Sequence, residues 1–144
     1  MYAQPIVYNG VLVIATENNN VYGFDAAIGG VMWPKFSLGP TWPAAAIGCG
    51  DLTPNIGVTS TPVVDPATGS LYLTCKVNDG SDTYHPHWYV HAIDVATGVE
   101  RPGWPVVVQG SASNDPAAAF NPFTAMQRTD LLLDGVVYAG FGAL

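Results

Sequence analysis

The chain has 144 residues, of which 49% are hydrophobic and only 10% are charged, whereas roughly 25% are charged in an average globular protein. Its net charge is −7, with four Lys and Arg in total. This argues against binding to nucleic acid or to an anionic membrane, which needs clustered basic side chains. No apolar run approaches the ~18 residues of a membrane-spanning helix, so we expect no membrane insertion. We also find no signal peptide.

The first unit, residues 4–38, contains short apolar segments separated by turn signals. Asn9-Gly10 is typical of a two-residue hairpin turn, because such a turn needs positive φ at both central positions. We predict strands at 5–8, 11–16, 21–24 and 31–33, which together make one four-stranded antiparallel sheet.

A second unit, residues 58–109, repeats this order of strands and turns. Its first turn is Asp65-Pro-Ala-Thr-Gly69, in which Asp caps backbone N–H groups and Gly takes the left-handed position. The strands are predicted at 60–64, 71–75, 88–93 and 105–108. A half unit at 126–144 contains only two strands, predicted at 129–133 and 136–141. We therefore predict that residues 1–144 form one partial domain with an internal repeat.

Two long linkers, residues 34–58 and 109–127, separate these units. Linkers of this length are either functional or disordered. They contain the aromatic residues Trp42, Phe120 and Phe123. These rings either line a binding surface or cover the rims of the neighbouring sheets.

The predicted strands are apolar on both faces, as in Val11-Leu-Val-Ile-Ala15. A free antiparallel sheet alternates apolar with polar residues because one of its faces meets water. Apolar residues on both faces indicate a sheet between two neighbours. Four-stranded antiparallel sheets stacked in this way are the blades of a β-propeller, so the predicted fold class is all-β with an incomplete propeller ring.

The segment from Asp25 to Trp33 resembles the repeat of the quinoprotein-like (PQQ-repeat) β-propellers. In that repeat a strand ends in Asp, a Thr-Gly turn follows, and a Trp closes the fourth strand. Asp25, Gly29 and Trp33 hold the family spacing, while Ile28 replaces the usual Thr.

A second copy of the motif begins at Asp94, where Thr97 and Gly98 match the family pattern. Trp104 follows two positions late. The resemblance implies that these Trp residues pack against a neighbouring blade in a WD40-like ring. It also implies a ring of roughly six to eight blades. This chain resembles about two and a half of them, so we expect either self-association or the remaining blades to cover its open faces.

Three histidines, His85, His87 and His91, form the chain's only histidine cluster. In an extended segment these three side chains share one side, because strand side chains alternate. They are a candidate Zn²⁺ or Cu²⁺ site. The alternative is a solvated loop rich in aromatic residues, since Pro86 interrupts a strand.

Acidic and amide side chains at Asn78, Asp79 and Asp82 are typical of part of a calcium loop, but the full ligand spacing is absent and an ordinary polar turn is the alternative. The two cysteines, Cys49 and Cys75, either form one disulfide or remain separate thiols.

We expect a non-catalytic propeller segment that serves as a scaffold or binding surface. One alternative is part of a quinone-dependent dehydrogenase whose active-site residues lie outside this chain, and another is a partial gene product without activity of its own. The family implies PQQ and calcium as cofactors and a bacterial, periplasmic or extracellular setting. In that family, active members use a calcium site, an Asp base and often an adjacent cysteine pair, and no residue of this sequence carries those roles.

Overall fold

The computed structural model describes residues 1–143. The protein is all-β, with several small antiparallel sheets and, within those residues, no closed barrel. This arrangement is compatible with an incomplete propeller, and the all-β prediction is confirmed. No helix in residues 1–143 is long and apolar enough to cross a membrane.

Sheet one is a four-stranded meander in the order β1-β2-β3-β4. Its strands are β1 (Ile6–Tyr8), β2 (Val11–Ala15), β3 (Asn20–Asp25) and β4 (Val31–Ser37). Asn9 and Gly10 have φ values of 46° and 79°, as a primed hairpin turn requires. The fourth strand is longer than the predicted 31–33.

The linker after sheet one is ordered rather than irregular. It contains a two-stranded pair, β5 (Trp42–Pro43) with β6 (Asn55–Ile56), and two short 3₁₀ helices, Ala44–Ala46 and Gly50–Leu52.

Sheet two is a second four-stranded meander. It consists of β7 (Val63–Asp65), β8 (Ser70–Val77), β9 (His87–Asp94) and β10 (Val106–Val107). The long pairing of β8 with β9 runs from Ser70↔Asp94 to Val77↔His87 and forms the centre of this sheet.

The remaining strands form two-stranded pieces. A hairpin of β11 (Ser111–Ala112) and β12 (Asp115–Ala119) occupies the second linker. Beyond it, β13 (Ala125–Met126) pairs with β16 (Gly142–Ala143), and β14 (Leu132–Leu133) pairs with β15 (Val137–Tyr138). Strands β14 and β15 are shorter than the predicted strands at 129–133 and 136–141.

The main core lies between the two large sheets. It combines Val13 and Val21 of sheet one with Leu71, Leu73 and Ile93 of sheet two, all at most 2% exposed. A second core cluster covers the other face of sheet two, where Trp88 packs with Trp42 and Ala125. Sheet two is thus covered on both faces. Sheet one is covered on one face only within residues 1–143, so the second neighbour that Val11–Ala15 predicts is not among them.

Candidate functional site

The turn after β3 and the turn after β9 are built alike. In both, the glycine N–H donates to the Asp carbonyl at 2.8 Å, Gly29 to Asp25 and Gly98 to Asp94. Each Asp Oδ1 also accepts two backbone N–H groups inside its own turn. The two glycines have φ values of 74° and 71°. The two turns are therefore structural counterparts, and so are their glycines.

Trp33 of sheet one packs against the turn of sheet two. Its indole Nε1 donates to the Val95 carbonyl at 2.9 Å, and the side chain is 4% exposed. The ring lies between two glycines: a Cβ added to Gly23 would come within 2.0 Å of the indole, and one added to Gly98 within 2.4 Å. Only glycine allows this approach from either side. We call residues 94–98 the covered turn.

The counterpart in sheet one, residues 25–29, carries no such ring. Nothing lies within 4 Å of the position that a Cβ on Gly29 would take. The neighbouring Ile28 is 83% exposed. We call residues 25–29 the uncovered turn. It has the hydrogen bonds and the φ of the covered turn but no indole against it.

An apolar sheet face adjoins the uncovered turn. The residues on this face alternate with the core residues of β2 and β3, and we call it the outer face of sheet one. Tyr22 and Phe24 stack there with ring centroids 6.3 Å apart, and Val7 and Val31 are 62% and 72% exposed. Its members are Val7, Leu12, Ile14, Tyr22, Phe24 and Val31.

The outer face corresponds to a face of sheet two that is already covered. When Asp25 is matched to Asp94, Phe24 falls on Ile93. The cross-strand partners then match as well, so Leu12, opposite Phe24, falls on Leu71, opposite Ile93. Ile93 and Leu71 are fully buried against sheet one. The outer face is therefore the repeat counterpart of a surface that receives a sheet.

Trp104 has a different environment from Trp33. Its ring packs edge to face on Tyr72 of its own sheet, with centroids 5.5 Å apart. It lines an apolar cavity of about 370 Å³ between sheet two and the β14–β15 hairpin, together with Val106 and Val137. Arg101, three residues earlier, forms an ion pair with Asp94 at 2.9 Å.

The histidines do not come together as one site. Each Nδ1 lies 2.7 Å from a carboxylate oxygen of a different residue: His85 from Asp82, His87 from Asp79, and His91 from Glu100. No three His, Cys, Asp or Glu side chains in residues 1–143 form a group that could hold a metal.

His87, Tyr89 and His91 do share one face of β9, with successive ring centroids 6.1 and 6.3 Å apart. Asp79 accepts hydrogen bonds from both His87 and Tyr89. Burial and this hydrogen bond raise the pKa of Tyr89 to about 12. Asp79 and Asp82 thus act as hydrogen-bond partners of the loop that joins β8 to β9.

Cys49 and Cys75 are separate thiols in the structure. Cys75 lies on β8 in the core between the two sheets, whereas Cys49 packs against the second cluster around Trp42. Burial raises the pKa of Cys75 strongly. Cys49 donates to Asp51 at 3.0 Å, and this bond, followed by burial, raises its pKa.

Lys76 is a buried basic residue that the sequence pattern did not single out. It is fully buried on the face of β8 opposite Cys75. Its Nζ donates to the Phe123 carbonyl at 2.7 Å and lies 3.8 Å from the ring centroid of Trp42. Burial lowers the pKa of Lys76 to about 7. One signal was visible: a basic residue, rare in this chain, inside an apolar strand.

The aromatic residues of the linkers cover the rim of sheet two. Trp42 is fully buried, and its Nε1 donates to the Thr83 carbonyl at 2.7 Å. Phe123 packs edge to face on Trp42, and Phe120 packs against the same core cluster. Of the two alternatives for these rings, the structure favours covering the sheet.

No protein-family model matches this chain, and no curated protein matches it. The quinoprotein resemblance therefore remains a prediction. Residues 1–143 bring together no three acidic side chains that could hold the calcium which the resemblance implies.

Proposed function

We propose that this chain is a non-catalytic β-propeller segment, a scaffold whose sheet faces bind adjoining blades. One observation carries the proposal: Trp33 closes sheet one onto the covered turn at Gly98, while the matching turn at Gly29 lacks such a ring. In a stack of repeats each unit contacts only its neighbours, so a continued stack would place the Trp of a preceding unit on the turn at Gly29. Trp33 of sheet one already packs on the covered turn of sheet two, whereas no Trp in residues 1–143 packs on the uncovered turn of sheet one.

The outer face of sheet one supports the same function. Its apolar side chains would cost solvation free energy if they stayed in water, at roughly 25 cal/mol for each Å² of apolar surface. Contiguous exposed apolar side chains on one sheet face are typical of an interaction site. The members of this face are aliphatic or aromatic, as a surface that packs against another sheet requires.

The scaffold proposal has two experimental arms. First, the purified chain is mixed with PQQ and Ca²⁺, and bound quinone absorbance and dye-linked alcohol oxidation are recorded. We expect neither; turnover above a protein-free control would overturn the non-catalytic assignment and favour a quinone-dependent dehydrogenase.

The second arm tests docking between the two sheets. Trp33→Phe keeps an aromatic ring but removes the Nε1 donor, so we expect a loss of about 1–2 kcal/mol in the free energy of unfolding. Unfolding should remain a single transition. A chain in which the two sheets already unfold separately, with no loss in the variant, would contradict the docking account.

A further inference from the structure

Two exposed apolar surfaces lie on opposite sides of sheet two. The first is the outer face of sheet one. The second, which we call the hairpin surface, consists of Leu132 and Tyr138, which are cross-strand partners on β14 and β15 and are 61% and 52% exposed. The alternate residues of that hairpin, Leu133 and Val137, line the cavity toward sheet two. The hairpin surface therefore points away from the rest of the molecule.

We infer that copies of this chain associate head to tail, with the hairpin surface of one copy packed on the outer face of sheet one of the next. This inference rests on the proposed function and names its partner. One molecule cannot bring its own two surfaces together, because sheet one and sheet two are stacked between them. The contact joins two different surfaces, so it is heterologous and leads to a ring or an open chain of copies.

The repeat explains why these two surfaces fit each other. The outer face is the counterpart of the sheet-two face, containing Leu71 and Ile93, that sheet one covers. On that interface the covering strands present aliphatic and aromatic side chains such as Val13 and Trp33. The hairpin surface offers the same kind of side chain, an aliphatic and an aromatic residue side by side.

Net charge opposes association of the copies, and salt weakens that repulsion. Every member of both surfaces is uncharged, so the contact buries no ion. Each copy nevertheless carries a net charge of −7, and like-charged copies repel over roughly 10 Å at 0.1 M salt. Added salt should therefore strengthen the association, whereas it would weaken a contact made by ion pairs.

The test measures mass in solution by sedimentation velocity over a range of protein and salt concentrations. Phe24→Glu places a charge on the outer face, and Leu132→Glu places one on the hairpin surface. Each variant alone should weaken association at least tenfold. Val31→Glu, at a more exposed position of the outer face, repeats the first test with less risk to folding. Tyr84→Glu is the control, because Tyr84 is 66% exposed, lies outside both surfaces and adds the same charge.

Mixing the two single variants gives the sharpest result. A Phe24→Glu copy keeps an intact hairpin surface, and a Leu132→Glu copy keeps an intact outer face, so the mixture should form a 1:1 pair that goes no further. Wild-type protein that stays monomeric at every concentration would overturn the inference. So would a Leu132→Glu variant that associates like wild type, since that result indicates pairing of two outer faces. Neither outcome bears on the scaffold proposal itself. That proposal is tested separately by the PQQ and Ca²⁺ assay and by the unfolding of Trp33→Phe.

Discussion

The indole ring of Trp33 lies directly against Gly98 of the neighbouring sheet, so closely that a Cβ on that glycine would come within 2.4 Å of the ring. The same indole donates to the Val95 carbonyl three residues earlier in the same turn. One side chain thus joins two four-stranded sheets through a ring contact and a hydrogen bond. The two turns are alike in hydrogen bonding, and the buried Trp distinguishes the turn at Gly98 from the turn at Gly29.

Trp33→Ala should destabilise the protein strongly. Trp33 is 4% exposed and packed on both sides, and truncating a buried aromatic side chain to Ala costs about 3–5 kcal/mol. Urea unfolding followed by far-UV circular dichroism gives the value. Met32→Ala, at an adjacent residue that is 49% exposed, is the control and should cost less than about 1 kcal/mol. Equal losses in the two variants would show that Trp33 does not hold the sheets together.

Lys76 should make stability rise with pH. Burial lowers its pKa to about 7 in the folded protein from 10.5, so between those values the unfolded chain binds more protons than the folded one. The free energy of unfolding then increases with pH by at most ~1.4 kcal/mol per unit. Above pH 9 the Cys75 thiol, whose pKa is raised in the fold, acts in the opposite direction, because the unfolded chain loses that proton first. The useful window is therefore pH 7 to 8.5.

The variant Lys76→Met tests this assignment. It keeps the aliphatic stem and removes the titrating group, so the rise in stability between pH 7 and 8.5 should disappear. Lys35→Met is the matched control, because Lys35 is exposed on β4, and this variant should retain the rise. A rise that persists in Lys76→Met would assign it to another group.

The two cysteines should differ in reactivity with a thiol reagent such as DTNB. Cys49 is partly exposed and should react in the native protein, while Cys75 is fully buried with a raised pKa and should react only on unfolding. We expect one fast thiol per native chain and two in denaturant. Cys49→Ser identifies the fast one. Failure to titrate any thiol in denaturant would indicate that a disulfide had formed.

Much of the sheet architecture was predictable because it follows from local patterns. Asn9-Gly10 and the Asp65 to Gly69 segment specify hairpin turns through their φ requirements, and the apolar runs between them specify strands. Both four-stranded meanders were predicted for this reason. The covered turn could also be located, since Asp94 and Gly98 repeat the spacing of Asp25 and Gly29.

The remaining features depend on contacts between distant segments. Strand alternation places Leu73 and Cys75 on one face of β8 and Lys76 on the other. Local pattern marks that second face as polar, because Thr74 also lies on it. Its burial comes from Trp42 and from the Phe123 carbonyl, 34 and 47 residues away. In the same way, β13 pairs with β16 across the intervening β14–β15 hairpin, so no single turn specifies that pairing. Such pairings cannot be found from periodicity in a single sequence.

The most direct test of the central claim compares Gly98→Ala with Gly29→Ala by equilibrium unfolding. Both glycines have φ near 70°. Each alanine should therefore lower the free energy of unfolding by about 1–2 kcal/mol, because an L-residue is strained in the left-handed region. Of these two glycines, only Gly98 lies against an indole. Gly98→Ala should therefore lower the free energy of unfolding by a further ~1–3 kcal/mol, because Trp33 is displaced. Equal losses in the two variants would contradict the account, because the covered and uncovered turns would then be energetically the same.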